Sequence, residues 1–156
     1  MTVRSRALAV LCLLVGIATA GSASARQDYV THRDLFLAVD LPSEAQEAPN
    51  GEFIVTEGAD TTTLAFMAST PHFDVRRVDC GDSEPAYKVS NDRLFAWSCE
   101  LGDRIRYHIE KYGRTYLIGA SNGTETIEFT ADYPASKRAV WDPIIAHMSR
   151  SLRFAR

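Results

Sequence analysis

A group of side chains between positions 95 and 128 combines the residue types that bind ligands or move protons. Aromatic rings and arginines dominate the hot spots of binding interfaces, and a histidine beside a carboxylate is a pair used in general acid–base catalysis. We therefore expect this stretch to hold a binding surface or a small catalytic site. Its members are Phe95, Trp97, Arg104, Arg106, His108 and Glu128.

A catalytic interpretation depends on His108. A hydrolase could pair it with Glu110, but same-face neighbours on a strand are about 7 Å apart at the backbone. Glu128 is expected two strands away, at about 9 to 10 Å, which is too far for a direct hydrogen bond. The sequence therefore favours a binding surface with no catalytic residue. A small secreted hydrolase that uses His108 with a nearby carboxylate is the alternative.

Motifs for metals and cofactors are missing from the sequence. It has no His-Glu-x-x-His, no Gly-x-Ser-x-Gly, no Ser-x-x-Lys and no phosphate-binding glycine loop, and its 4 histidines occur singly. We expect no metal and no cofactor.

Two cysteines predict a disulfide. Cys12 lies in the apolar part of a signal peptide, described below, which leaves Cys80 and Cys99 as an even pair in an oxidising compartment. A redox pair or a metal site fits less well, because there is no Cys-x-x-Cys and no histidine at ligand spacing. Closing this loop would stabilise the fold by about 3 kcal/mol in the chain-entropy model.

Residues 1–25 have the pattern of a secretory signal peptide. Arg4 and Arg6 form a basic start, an apolar run follows, and Ala23-Ser24-Ala25 is a small-x-small cleavage site. We expect cleavage after Ala25, which leaves residues 26–156 as a single domain in the periplasm or outside the cell.

The charge of this exported domain narrows its partners. Cleavage removes two arginines and no acid, so the net charge falls from −3 to −5. A mildly acidic domain is poorly suited to binding nucleic acid or to coating an anionic membrane, and no later stretch is long and apolar enough to span a bilayer. We expect a protein or small-molecule partner in the cell envelope.

The elements that position the candidate residues are mainly strands. Alternating apolar residues at 35–41 predict a half-buried strand ended by Pro42, after a polar lead at 26–31. Residues 53–56 and 62–69 predict a hairpin, and a further strand is predicted near 73–78. The dipeptides Leu101-Gly102, Tyr112-Gly113 and Asn122-Gly123 predict turns that divide residues 94–130 into a four-stranded antiparallel meander.

Two-residue turns fix the register of such a meander and separate its two faces. One face is mainly apolar and includes Ala96, Ile105 and Phe129; the other carries all the candidate binding residues. In this register His108 lies between Phe95 on one side and Leu117 on the other.

A C-terminal helix completes the predicted fold. Asp142 and Pro143 are typical of a helix cap and first position, and Ile144, Ile145, Met148 and Leu152 follow at helical spacing. We expect this helix to cover the apolar face of the sheet, with residues 151–154 as a short edge strand. The fold class is α+β, an antiparallel sheet with a C-terminal helix on one face.

The two ends of this domain resemble the PsbP-like and DcrB-like exported domains. Residues 34–42, DLFLAVDLP, look like the x-F-x-V-x-L-P first strand of that family, and residues 141–154, WDPIIAHMSRSLRF, are similar to its last helix and tail. The aromatic residue that often follows the first-strand proline is absent from positions 43–50, and the cysteine pair is not part of the pattern. The resemblance implies an α+β sandwich used as a non-enzymatic binding or accessory module, and it carries over no catalytic residue.

Two accounts of the candidate face remain open. Phe95 and Trp97 could be exposed beside the arginines as a docking surface, or residues 70–85, tied to Cys99 by the disulfide, could cover them as a second small core. For the exposed surface we consider an inhibitor or immunity-type protein, or an accessory subunit of an envelope complex.

Overall fold

The polypeptide forms an antiparallel α+β fold in the computed structural model, which describes residues 27–72, 76–118 and 121–155. The predicted signal peptide, and residues 73–75 of the strand predicted at 73–78, lie outside these ranges. Residues 76–78 within them are not in a strand.

The described strands and helices follow one another in a simple order. The strands are β1 (Tyr29–Arg33), β2 (Leu37–Pro42), β3 (Gln46–Glu47), β4 (Phe53–Glu57), β5 (Asp60–His72), β6 (Tyr87–Ser90), β7 (Leu94–Leu101), β8 (Arg104–Ile118), β9 (Ser121–Pro134) and β10 (Arg153–Phe154). A 3-10 turn (Ala135–Lys137) leads into the helix α1 (Arg138–Ser151).

These strands form two antiparallel sheets. The larger has 7 strands in the order β3-β4-β5-β9-β8-β7-β6, and the smaller has 3 in the order β1-β2-β10. Strands β6 to β9 form a four-stranded meander, but it differs from the predicted one: β6 precedes residue 94, and residues 94–130 contribute three strands instead of four. The predicted hairpin is β4 with β5. The short edge strand predicted at the C-terminus is β10.

The main core lies on one face of the larger sheet, beneath α1 and the smaller sheet. The helix buries Trp141, Ile144, Ile145 and Met148, which pack with buried residues of both sheets, among them Val39. Burying a side chain of this size contributes about 1.5–3 kcal/mol, so this face is the main source of stability. The predicted helix-covered face is therefore confirmed.

Two of the three predicted glycine turns are wrong. Of these three glycines, Gly102, at φ +65°, lies in a hairpin turn. Strand β8 continues through Tyr112 and Gly113 with a bulge, and Asn122-Gly123 lies inside β9. The first turn is displaced by one residue: Leu101 pairs with Arg104, so Glu100 pairs with Ile105 rather than Asp103. A shift of two residues preserves strand alternation, so the predicted separation of apolar and polar faces holds.

The helix begins earlier than its proline suggests. It starts at Arg138, with Pro143 in its interior and without a side-chain cap at Lys137. Trp141 lies on the same buried stripe as Ile144 and Ile145, so packing extends the helix by a turn despite the hydrogen bond that an interior proline cannot donate. Asp142, predicted as the cap, instead accepts a hydrogen bond from Tyr133.

The N-terminal region differs in two places. The polar lead contains β1, which pairs with β2, and β2 is buried on both faces rather than on one, because it lies between β1 and β10 and beneath α1. Leu35 and Phe36, predicted in the strand, lie in the turn before it and are exposed.

Candidate functional site

A groove of about 570 Å³ lies on the face of the larger sheet opposite α1. We call it the polar groove. Its floor is formed by strands β7, β8 and β9, whose alternation brings the relevant side chains to one face. These are Trp97, Arg106, His108, Glu110, Thr130 and Asp132.

His108 lies at the centre of a hydrogen-bonded chain on this floor. Its Nε2 is 2.9 Å from Oε1 of Glu110, and its Nδ1 is 3.3 Å from the hydroxyl of Thr130. The hydroxyl of Tyr112 donates to Oε2 of Glu110 at 2.6 Å. Because an ionised carboxylate only accepts hydrogen bonds, Nε2 donates to Glu110 in this arrangement, and Nδ1 shares the second hydrogen bond with the hydroxyl of Thr130.

Glu110 is buried, with 4 % of its surface exposed. A buried carboxylate requires hydrogen-bond donors, and His108 and Tyr112 supply them. Burial, reinforced by the hydrogen bond to Glu110 and by its charge, raises the pKa of Tyr112 above its ordinary value. The guanidinium of Arg76 lies over the Tyr112 ring at 5.1 Å. The backbone separation of about 7 Å was expected to keep His108 and Glu110 apart. Their side chains reach across it and form a hydrogen bond.

Phe95 and Trp97 are buried rather than presented to solvent. With Cys80 and Cys99 they form a second cluster, against which Val78, Leu101 and Tyr112 pack. Residues 76–86, which we call the covering segment, reach this face, and the Cys80–Cys99 disulfide holds it there with a Cα–Cα distance of 5.5 Å. Of the two accounts of this face, the second small core is the one observed, so Phe95 and Trp97 are not exposed hot-spot residues.

Trp97 forms one wall of the polar groove. Its ring stacks on His108 with centroids 5.3 Å apart and an interplanar angle of 22°. Among the described residues, its indole N–H has no acceptor. The ring therefore orients the imidazole and contacts the groove without being exposed.

Arg104 and Arg106, two of the candidate binding residues, share Asp132 as their acidic partner. Its carboxylate pairs with the guanidinium of Arg104, and with that of Arg106 at 3.4 Å. Arg104 also donates to the carbonyl oxygen of Thr61 at 2.9 Å, which ties it to β5. One carboxylate therefore holds both guanidinium groups on this face.

Asp132 was not among the residues singled out from the sequence. It pairs in register with Arg106, and its alternation with Thr130 places it on the polar face. The predicted strand ends at position 130, whereas β9 continues to Pro134. A strand of that length includes Asp132 on the polar face.

Glu128 and Leu117 are not where the sequence placed them. Strand β8 does not turn at Tyr112-Gly113. On the side away from β7 it therefore pairs with β9 along its whole length. Glu128 pairs in register with Glu110 on the adjacent strand, and Thr130 rather than Leu117 lies beside His108. Of the predicted residues, the structure thus brings Trp97, Arg106 and His108 together in one groove.

The rim of the polar groove adds charge. Glu52, Thr63 and Ala65 contribute from the β4–β5 side, and Arg77 and Asp79 contribute from the covering segment. Together with the floor, the lining has two guanidinium groups and four carboxyl groups. With a neutral imidazole the groove is acidic.

The described residues show no group of three or more His, Cys, Asp or Glu side chains suited to hold a metal ion. The described helix, α1, is too short to cross a membrane.

Comparison with known proteins identifies no family. No model of a protein family matches the chain, and no curated protein sequence does. Among solved structures, the crystal structure of LpqN, involved in cell envelope biogenesis of Mycobacterium tuberculosis, matches at 14 % identity with a TM-score of 0.43, over 84 % of this chain and 91 % of LpqN. A likeness this weak carries no argument about function, and membership of the PsbP-like and DcrB-like domains stays a prediction.

Proposed function

We propose that the protein is an exported, non-catalytic binding or accessory protein of the cell envelope, which recognises a polar ligand or peptide bearing a cationic group through the polar groove. The observation that carries this proposal is the charge of the lining, where four carboxyl groups outnumber the two guanidinium groups, also when Arg104, which pairs with Asp132, is counted as a third. Export rests on the signal-peptide pattern of residues 1–25.

The charge pairs within the groove explain why a cation suits it. Arg106 is already paired with Asp132, and Glu110 is held by His108 and Tyr112. Glu52 and Asp79 on the rim add two further negative charges that a ligand meets as it enters. Complementary charge raises the association rate and penalises partners of the wrong sign.

The buried pair on the floor supports a role beyond stability. A buried charged group costs free energy unless fully paired, and an apolar pair in place of His108 and Glu110 would be compatible with the sheet. Their position on the floor of an open groove places polar atoms and one aromatic wall around a single space, which is typical of small-ligand sites.

Substitution of one rim carboxylate, with a matched control on the same segment, tests this proposal. Asp79 lines the groove and Asp82, three residues along the covering segment, does not. We expect calorimetric titration with spermidine and with a lysine-containing pentapeptide to show binding that Asp79→Asn weakens by about tenfold, the equivalent of 1.4 kcal/mol. Asp82→Asn should bind as the unsubstituted protein does.

Two outcomes would exclude the cationic ligand class. One is equal binding by Asp79→Asn and Asp82→Asn, and the other is no binding of either probe while an anionic or neutral analogue binds. Tryptophan emission provides a second readout, because Trp97 contacts the groove; Trp141→Phe removes the signal from the main core.

A second candidate function, a small secreted hydrolase, is favoured by one observation. The Thr130 hydroxyl, the His108 imidazole and the Glu110 carboxylate are hydrogen-bonded in the order hydroxyl, imidazole, carboxylate, which is the order in hydroxyl-nucleophile hydrolases. The contact between the Thr130 hydroxyl and Nδ1 of His108, at 3.3 Å, is long for an O–H donor.

A broad ester and amide substrate screen separates the two functions. Under the binding proposal we expect no turnover above that of a His108→Ala control. Turnover that is lost in both His108→Ala and Thr130→Val, and retained in Thr130→Ser, would replace the binding proposal with the hydrolase.

A further inference from the structure

The turn between β1 and β2 presents two large apolar side chains to solvent. Leu35 is 86 % exposed and Phe36 is 58 % exposed. Single exposed apolar residues are common on protein surfaces, but two adjacent ones at the end of a hairpin are a different case. We call this pair the apolar tip.

The apolar tip is held in a fixed conformation. The Asp34 carboxylate accepts hydrogen bonds from the backbone N–H groups of Phe36 at 2.6 Å and Leu37 at 2.8 Å. The backbone N–H of Asp34 donates to the carbonyl of Leu37, and the carbonyl of Phe36 accepts from Ala155. The turn is therefore ordered before any partner binds, which reduces the entropy cost of binding through it.

Basic side chains surround the apolar tip. Arg33 precedes it, and Arg114 lines a groove of about 540 Å³ together with Leu35 and Phe36. Arg153 lies close as well, because it and Arg33 both pair in register with Ala38 on β2. All three arginines are exposed. The acidic groups nearby are Asp34, whose carboxylate is bonded to the turn, and Glu125 on the groove wall.

We propose that the apolar tip inserts into the interface of an anionic phospholipid bilayer, with Arg33, Arg114 and Arg153 contacting the headgroups. Apolar side chains that enter the acyl boundary and basic ones that meet anionic headgroups act together in interfacial binding, and each basic residue near such a surface contributes. The net negative charge of the domain opposes coating of a membrane by the whole surface, so contact is restricted to this end. The polar groove, on the far face of the larger sheet from α1, is a separate site, and this proposal does not depend on it.

Vesicle binding by tip variants tests the proposal. The protein, purified as the cell exports it, is sedimented with vesicles of phosphatidylcholine alone or of phosphatidylcholine with phosphatidylglycerol. We expect binding to the mixed vesicles, lowered by about tenfold or more in a Leu35→Ser, Phe36→Ser double variant, because the apolar area entering the bilayer is lost. Arg33→Gln with Arg114→Gln should lower binding to the mixed vesicles and remove the preference for them.

The matched control is a Met67→Ser, Val140→Ser double variant, whose two apolar side chains are 55 % and 47 % exposed elsewhere on the surface. It should bind as the unsubstituted protein does. A Leu35→Trp variant supplies a second measurement that needs no loss of binding: its emission should shift to the blue on mixed vesicles and be quenched by brominated acyl chains.

Three results would overturn the proposal. They are absence of binding to mixed vesicles, equal binding by the tip and control variants, and emission of Leu35→Trp that vesicles leave unchanged. Sedimentation velocity without lipid tests the competing occupant, since self-association abolished by the tip variant would assign the apolar tip to a second copy of the chain instead.

Discussion

At the scale of single residues, Glu110 is the side chain on which the polar groove depends. Two donors, His108 and Tyr112, contact its carboxylate. The ring of Trp97 stacks on the imidazole of His108. Removing one acceptor from such a network leaves buried donors unsatisfied, which costs more than the bond itself contributes.

We predict that Glu110→Gln lowers the free energy of unfolding by about 1–3 kcal/mol, because His108 and Tyr112 contact different carboxylate oxygens and glutamine replaces one of these acceptors with an NH2 donor. Urea denaturation monitored by far-ultraviolet circular dichroism measures the change. Glu100→Gln is the control, since Glu100 pairs with Arg138 at 2.8 Å on an exposed surface and such pairs contribute at most about 1 kcal/mol. Equal effects of the two substitutions would contradict the role given to Glu110.

At the same scale, Tyr133 should make the stability of the protein depend on alkaline pH. Tyr133 is buried and its hydroxyl donates to Oδ1 of Asp142 at 2.8 Å. Burial first, and then this hydrogen bond and the Asp142 charge, raise the pKa of Tyr133 above its ordinary value of 10.0. In the unfolded chain tyrosine ionises near 10, so above that pH the folded state keeps a proton that the unfolded state loses.

Stability should therefore fall as the pH rises above about 10. We expect Tyr133→Phe to be about 1 kcal/mol less stable than the unsubstituted protein at neutral pH, and to lose stability less steeply between about pH 10 and 12. Tyr112, whose pKa is raised as well, keeps part of the slope. Thermal melts from neutral pH to about pH 12 measure the stability at neutral pH and its decrease at alkaline pH. An equal decrease for Tyr133→Phe and the unsubstituted protein would refute the role given to Tyr133.

At the scale of elements, the glycines show where the sequence could and could not predict the fold. Gly58 and Gly102 have positive φ and lie in hairpin turns, as the dipeptide signals predict. Gly113 gives the same signal for a different reason: a Cβ there would lie 2.7 Å from Cζ of Phe154 and 2.9 Å from Oε2 of Glu125. A local pattern cannot distinguish a turn from a close approach by a residue 41 positions away, so β8 was divided where it is continuous.

The same comparison explains which parts of the candidate site could be predicted. Strand alternation placed Arg106 and His108 on one face whatever the register, and that prediction is confirmed. Their partners across the strand depend on the register itself, so Thr130 and Asp132 were missed. The burial of Trp97 depends on the covering segment, which has no periodicity to indicate where it packs.

Gly113→Ala tests the packing role of this glycine. We expect a loss of about 1–3 kcal/mol, because the Phe154 ring and the Glu125 carboxylate must move. The loss should shrink by about 1 kcal/mol when Phe154→Ala is already present, since the two positions are in contact. Gly58→Ala is the contrasting variant: its Cβ meets nothing within 4 Å, and its cost comes from φ +67° alone. The account would be contradicted if the loss caused by Gly113→Ala were the same with and without Phe154→Ala. It would also be contradicted if the loss caused by Gly58→Ala changed when Phe154→Ala is present.

At the scale of the whole molecule, the larger sheet has a hydrophobic core on each face, and the two cores are covered by different kinds of structure. The main core is covered by α1 and the smaller sheet, with 14 helical residues and regular strand pairing. The second core is covered by residues 76–86, whose described backbone hydrogen bonds outside regular structure are Ser83 to Cys80 and Ala86 to Ser98. The Cys80–Cys99 disulfide adds a covalent tie between the covering segment and the sheet to these hydrogen bonds and to the contact of Arg76 with Tyr112.

The two cores should separate when this tie is removed. In the chain-entropy model, loss of the disulfide costs about 3 kcal/mol, and the cost should concentrate on the side with fewer other contacts. Each core contains one tryptophan, Trp97 in the second and Trp141 in the first, so Trp141→Phe and Trp97→Phe variants report on each core alone. After reduction we expect the Trp97 emission to shift to the red at a lower urea concentration than the Trp141 emission, whereas the two transitions should nearly coincide in the oxidised protein. Coincident transitions after reduction would show that both cores unfold as one unit, and the polar groove would then be as stable as the main core without its disulfide.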